Sequence, residues 1–175
     1  MLLAILPSGL FLVACIRLRW FEWLNRPIDA GLHLFGEPLF GANKNWRGLV
    51  IYTFGGGASV WLLHQLANQS DWVAPVFRND PWPLGFTWGF SYAIGELVNS
   101  FIKRRFKVAA GTEAKSSVGK IIQRFFDNVD GILATGFILV LVYHVEAPYL
   151  ICSFVLGYLA HASVELLMKR FRLKK

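Results

Sequence analysis

Charged residues are scarce in this chain: Asp, Glu, Lys and Arg make up 17% of its 175 residues, where soluble globular domains carry about a quarter. The shortage argues against an ordinary soluble domain, and the 55% hydrophobic content argues the same way. Cysteine is nearly missing. Cys15 and Cys152 each sit inside an apolar run, with no CxxC or metal-ligand spacing. That excludes a disulfide framework and reads both as buried apolar residues. Acidic residues are outnumbered, 11 against 18 Lys and Arg, for a net charge of +7. In a soluble protein this balance would suggest nucleic acid. In a membrane protein it follows from Lys and Arg collecting in cytoplasmic loops, so no nucleic-acid partner is expected. The sequence holds no GxxxxGK[ST], no HExxH and no nucleophile elbow, so the phosphate-loop, zincin and α/β-hydrolase chemistries carried by those motifs have no footing here. No basic stretch precedes the first apolar run, and Arg17 and Arg19 follow it. That order fits a first membrane helix with its N-terminus outside, not a signal peptide.

What the chain does have is apolar length. A membrane-spanning helix needs about 20 mostly apolar residues. Five stretches qualify, at about 2–20, 48–66, 84–102, 131–143 and 148–168, the fourth with a start that extends back into the preceding polar segment. The connection at 21–47 holds Arg26, Lys44 and Arg47; that at 103–130 holds Lys103, Arg104, Arg105, Lys107, Lys115, Lys120 and Arg124. The tail adds five more bases, while 67–83 has only Arg78. Rich and poor segments alternate, so five spans with the N-terminus outside put every basic segment, and the C-terminus, in the cytoplasm. Trp20, Trp23, Trp46, Trp72 and Trp82 fall near span ends, as an aromatic belt does. The expectation is an all-α integral membrane protein of about five transmembrane helices, a single membrane domain over 1–175, with a polar cavity on its cytoplasmic side. Its location would be a cell membrane, crossed several times.

Three segments could carry chemistry. Glu96 lies inside the third span, where an ionisable side chain is costly and usually functional. Glu96, Asn99 and Lys103 share a helical face at spacings of three and four; a purely structural Glu96–Lys103 pair is the bland reading. Asp127 and Asp130, three apart before the fourth span, suit a hard cation such as Mg²⁺ with substrate phosphates completing its shell. The bland reading there is acidic residues favoured near a helix N-terminus. The stretch 40–48 offers Asn43, Lys44 and Arg47 as phosphate donors between glycines, or simple positive-inside anchoring. Phosphate-binding bases, metal-binding acids and lipid access together follow the logic of phosphate-transfer catalysis. His161 and Glu165 read as an intrahelical pair. His64 and His144 sit at the outer ends of spans, and His33 has no evident partner.

The three segments resemble those of a known family. Phe40-Gly41-Ala42-Asn43-Lys44-Asn45-Trp46-Arg47-Gly48 looks like the FGANKTWRG segment of the CDP-archaeol synthases. The stretch from Gly95 to Arg105 is similar to their GDLxxSFxKRR, and Asp127-Asn128-Val129-Asp130 to their DQxD. These enzymes are relatives of the CDP-diacylglycerol synthases. The resemblance implies a Mg²⁺-dependent reaction in which CTP and a lipid phosphate give a CDP-activated lipid and pyrophosphate. It implies that Asn43, Lys44, Arg47, Asn99, Lys103 and Arg104 bind substrate, and that Asp127, Asp130 and Glu96 hold metal, with Lys103 also in the catalytic set. Glu96 stands where the family usually has Asp, Asn45 replaces Thr, Glu165 replaces a polar Asn, and 107–126 is longer than the family pattern. These departures leave the lipid open, ether or ester, as well as the oligomeric state. The alternative is a non-catalytic lipid-binding or transport protein using the same cavity.

Overall fold

The computed structural model describes residues 2–69 and 73–170, with side chains described for 6–69 and 73–159. Five α-helices dominate these residues: α1 (Leu2–Arg17), α2 (Trp46–Ala67), α3 (Pro81–Arg105), α4 (Ser117–Tyr143) and α5 (Ala147–Arg170). One small hairpin pairs β1 (His33–Leu34) with β2 (Glu37–Pro38), antiparallel, His33 opposite Pro38. Short 3-10 turns at Glu22–Leu24 and Pro75–Arg78 complete the connections.

The helix starts follow local chemistry. Asn45 caps α2 by accepting from the Gly48 amide at 3.0 Å, Asp80 caps α3 through the Trp82 amide at 3.1 Å with Pro81 next, and Ser116 caps α4 through Gly119 at 3.0 Å. The Ser116 cap explains why α4 begins fourteen residues before 131. Behind the cap, Val118, Ile121, Ile122, Phe125 and Phe126 repeat at helical spacing. The bases among these residues do not interrupt the helix, because they lie on its other face.

α3 is the central helix. It packs against α2 on one side and α4 on the other; α1 lies on α2, and α5 packs on α4 and reaches α1. Backbone approach sets the α2–α3 seam. A Cβ on Gly89 would run into the Tyr52 carbonyl of α2, and one on Gly95 into the Asp130 carbonyl of α4. Gly95 therefore brings α3 against α4 beside the acidic residues. At the other end of the bundle, Val60, Leu63, Leu84, Trp88 and Leu139 form the apolar core, with Phe77 stacked on Trp88 at 5.5 Å.

The polarity of the faces is inverted relative to a soluble bundle. Phe90, Ile94, Val98 and Ile102 of α3 and Leu133, Phe137 and Leu141 of α4 are exposed, while Ser91, Asn99, Ser100 and Thr135 are buried. Among the described residues, α4 alone is long and apolar enough to cross a membrane by length and composition; Leu6–Arg17 and Ala147–Leu159 are shorter apolar stretches. α3, which carries Ser91, Glu96, Asn99 and Ser100 among its apolar residues, does not meet that mark. Trp20, Trp23, Trp46 and Trp82 are exposed near helix ends; Trp72 lies outside the described residues, as do the side chains of His161 and Glu165. Cys15 is buried, but Cys152 is exposed on α5, which corrects the reading of both as buried. An apolar run tells that a residue is on a membrane-like helix, not which way it faces.

Replacing Gly89 by Ala should therefore destabilise the fold by about 3 kcal/mol through overpacking. Gly136→Ala, whose added methyl meets nothing nearer than Leu150 at 3.8 Å, should be neutral or stabilising by about 0.5 kcal/mol. Thermal unfolding in detergent compares the two; equal midpoints would contradict the seam.

Candidate active site

The loop between α1 and α2 is organised around one buried carboxylate. Asp29, 4% exposed, accepts the amides of Gly31, Phe40 and Gly41 at 3.1, 3.0 and 2.9 Å. Burial alone would raise its pKa; the amides of Gly41, Phe40 and Gly31 outweigh that and hold the carboxyl below its ordinary value. The same loop is closed by Ile28 donating to the Lys44 carbonyl at 2.9 Å and Lys44 donating to Gly41 at 3.0 Å. Gly41 has φ +101°, a conformation that favours glycine. From α3, Arg105 donates to the carbonyls of Leu34, Glu37 and Pro38 at 2.8, 3.1 and 2.6 Å, fixing the hairpin to the helix end.

This scaffold delivers Lys44 to α3. Its Nζ donates to Glu96 Oε2 at 2.6 Å. Burial works against the lysine's charge, but Glu96, with Asp130 and Asp127 beyond it, outweighs that and raises its pKa. One and two turns farther along α3, Asn99 and Lys103 meet α4. The Asn99 amide donates to Asp127 Oδ1 and to Asp130 Oδ2, both at 2.7 Å, and Lys103 Nζ donates to Asp127 Oδ1 at 2.6 Å. Lys44, Glu96, Asn99, Lys103, Asp127 and Asp130 thus form one charged cluster from three elements. The bland Glu96–Lys103 pair is not what forms: Glu96 takes Lys44, and Lys103 takes Asp127.

Other expected residues lie near this cluster but are engaged elsewhere. Arg47 is buried and donates to the Trp20 carbonyl and to Glu22, each at 3.3 Å. Arg104 is buried beneath the Gly41 turn and donates to the Val108 carbonyl. Asn43 lines the cleft over Lys44 and Glu96. His64 bonds the Phe77 carbonyl at 2.9 Å, at the far end of α2, and His33 bonds the Gly31 carbonyl at 2.7 Å.

Among the described residues no three Asp, Glu, His or Cys side chains gather as a ligand set by themselves. The donor pair that exists still fits Mg²⁺. Asp127 Oδ1 and Asp130 Oδ2 converge on one donor, the neutral Asn99 amide, and Asp127 Oδ1 accepts from Lys103 as well. A cation there would meet two carboxylate oxygens, the usual protein share for Mg²⁺, which otherwise keeps water and substrate phosphates. Glu96, turned to Lys44, is not in that pair.

Two residues that order the loop beside the cluster escaped the sequence reading. Asp29 carried one local signal, an Asp two residues before a glycine, which suits an Asx turn. Arg105 was legible as a base but not as a clamp on a hairpin about 70 residues earlier in the chain.

A protein-family model described as CarS-like, CDP-archaeol synthase, matches residues 22–175. No curated protein and no solved structure matches the chain.

Asp29 makes the loop sensitive to acid. Because its folded pKa lies below its ordinary value of 3.8, its contribution is complete above that value and is lost as pH falls through the folded pKa. At neutral pH, Asp29→Asn should cost about 2 kcal/mol; between pH 6 and 3, the difference from the unmodified protein should stay constant until the pH nears 3.8 and shrink below that value. Thermal midpoints across that range test this; a difference independent of pH would contradict it.

Proposed function

The chain belongs to the CDP-archaeol synthase family, CTP-dependent cytidylyltransferases that act on lipid phosphates, and we propose that it makes a CDP-activated glycerolipid within a membrane. A lipid phosphate oxygen attacks the α-phosphorus of CTP. A new P–O–P link forms, the bond to the β-phosphate breaks, and pyrophosphate leaves. The observation that carries this reading is the cluster in which Asn99 and Lys103 of α3 join Asp127 and Asp130 of α4 beside the Lys44–Glu96 pair.

Each residue has a part that its chemistry suits. Lys44 and Lys103 supply positive charge where two anionic substrates must meet. Asn99 holds the two aspartates together and sets their spacing. Asp127 and Asp130 would hold Mg²⁺, which when bound neutralises phosphate charge and orients the leaving group. Glu96 keeps the Lys44 ammonium aimed into the cleft. No covalent enzyme intermediate is needed, because positioning and charge neutralisation account for catalysis of this class.

The membrane reading extends to all five helices, with the charged cluster on the cytoplasmic side. The exposed apolar faces of α3 and α4 support it, since such faces suit lipid and not water. So does the gathering of Lys44, Arg47, Lys103, Arg104 and Arg105 at one end of the bundle.

Purified protein supplied with Mg²⁺, CTP and a panel of phosphatidic and archaetidic acids should release pyrophosphate. Asp127→Asn should lower kcat by about 10²-fold or more while remaining folded and inserted. No release across the panel would overturn the proposal, and CTP binding without release would point to a non-catalytic lipid-binding or transport protein.

A further inference from the structure

Residues 1–21 lie outside the family match, yet α1 builds part of the site. A cleft of about 480 Å³, counting its open mouth, is lined by the polar Lys44, Glu96 and Asn43 and by the apolar Leu12, Ile16 and Leu49. Leu12 and Ile16 are four apart and so lie on one face of α1. Ile16 is half exposed, at the rim. The helix is fixed in place one turn earlier, where Ser8 packs into the space left by Gly55 of α2: a Cβ on that glycine would lie 2.5 Å from Ser8 Oγ. That contact seats α1 against α2 and brings the wall beside Lys44.

The polar and apolar linings of the cleft together ask for one amphipathic ligand. Glu96 accepts from one of the three N–H donors of Lys44, and the others suit an anionic oxygen. Leu12, Ile16 and Leu49 offer hydrocarbon within the same cleft. We propose that Leu12 and Ile16 are specificity-determining residues for the lipid: the phosphate monoester sits on Lys44, and the chain carbons nearest the headgroup run over these two side chains. This rests on the proposed function, whose lipid substrate it makes more specific. Two branched side chains set the width of the groove, so they discriminate methyl-branched isoprenoid chains from straight acyl chains.

The test uses Leu12→Phe and Ile16→Phe in the full chain, with Leu10→Phe as control, because Leu10 is exposed on α1 and does not line the cleft. Two probes are compared, dioctanoyl phosphatidic acid and a short isoprenoid-chain glycerol phosphate. Turnover with CTP and thermal stabilisation by lipid alone are both read. Narrowing the groove should reduce kcat/KM and stabilisation for the branched probe about tenfold relative to the straight one, with KM for CTP within twofold and the control unchanged. An unchanged branched-to-straight ratio in both variants would overturn the assignment, as would a change of equal size in the control. If the unmodified protein binds the lipids but never turns over, the proposed reaction fails and the binding ratio alone decides the groove. If it binds neither probe, the groove assignment fails as well.

Discussion

The bridge from Asn99 to Asp127 and Asp130 is the interaction on which the rest of this structure turns. Two carboxylates three residues apart on α4 point toward α3, in surroundings where unpaired charge is costly. One amide answers both at 2.7 Å, and Lys103 takes a second bond to Asp127. The same constraint acts on Glu96, which is satisfied from outside its own helix by Lys44. Pairing of this kind joins the loop before α2, the C-terminal half of α3 and the middle of α4, and leaves their charges concentrated at one place. Those same pairs are what a phosphate substrate and a divalent cation would exchange for new partners.

The packing around the cluster serves it. Gly95 permits α3 to lie against the Asp130 backbone, and Gly89 permits the same approach to α2. Without these contacts Asn99 would not span the gap to α4, nor would Lys44 meet Glu96. On the loop side, Asp29 ties three amides and Arg105 ties the hairpin, so Lys44 enters the cluster on an ordered segment. Polar groups gather at the cluster, beside which Tyr52 packs on Tyr92 at 4.9 Å, while Phe77 stacks on Trp88 at the opposite end.

Much of this was legible in the sequence, for physical reasons. Apolar length marks helices, so five stretches anticipated five helices, and spacing put Glu96, Asn99 and Lys103 on one face. Charge position marked Lys44 and Asp127 as members of one site. Partner choice was not legible, because it depends on contacts between distant segments: Glu96 with Lys44, 52 residues apart, instead of the local Lys103. Arg47 read as a phosphate donor, but its burial against Trp20 and Glu22 is a tertiary fact. A start of α4 inside the polar segment was anticipated; how far back it lies was not, because the bases that occupy one face mask the apolar spacing of the other. The orientation of Cys152 was hidden because an apolar run has no marked side.

The central claim is that nucleotide and lipid phosphate meet at one cluster that includes both Lys44 and Lys103. Amine-reactive labelling followed by mass spectrometry tests it directly, on the intact protein in lipid nanodiscs with Mg²⁺. Adding CTP together with a lipid phosphate should protect Lys44 and Lys103 jointly, leaving Lys107 and Lys120 as reactive as before. Protection of neither lysine, or protection confined to Lys107 and Lys120, would contradict the account.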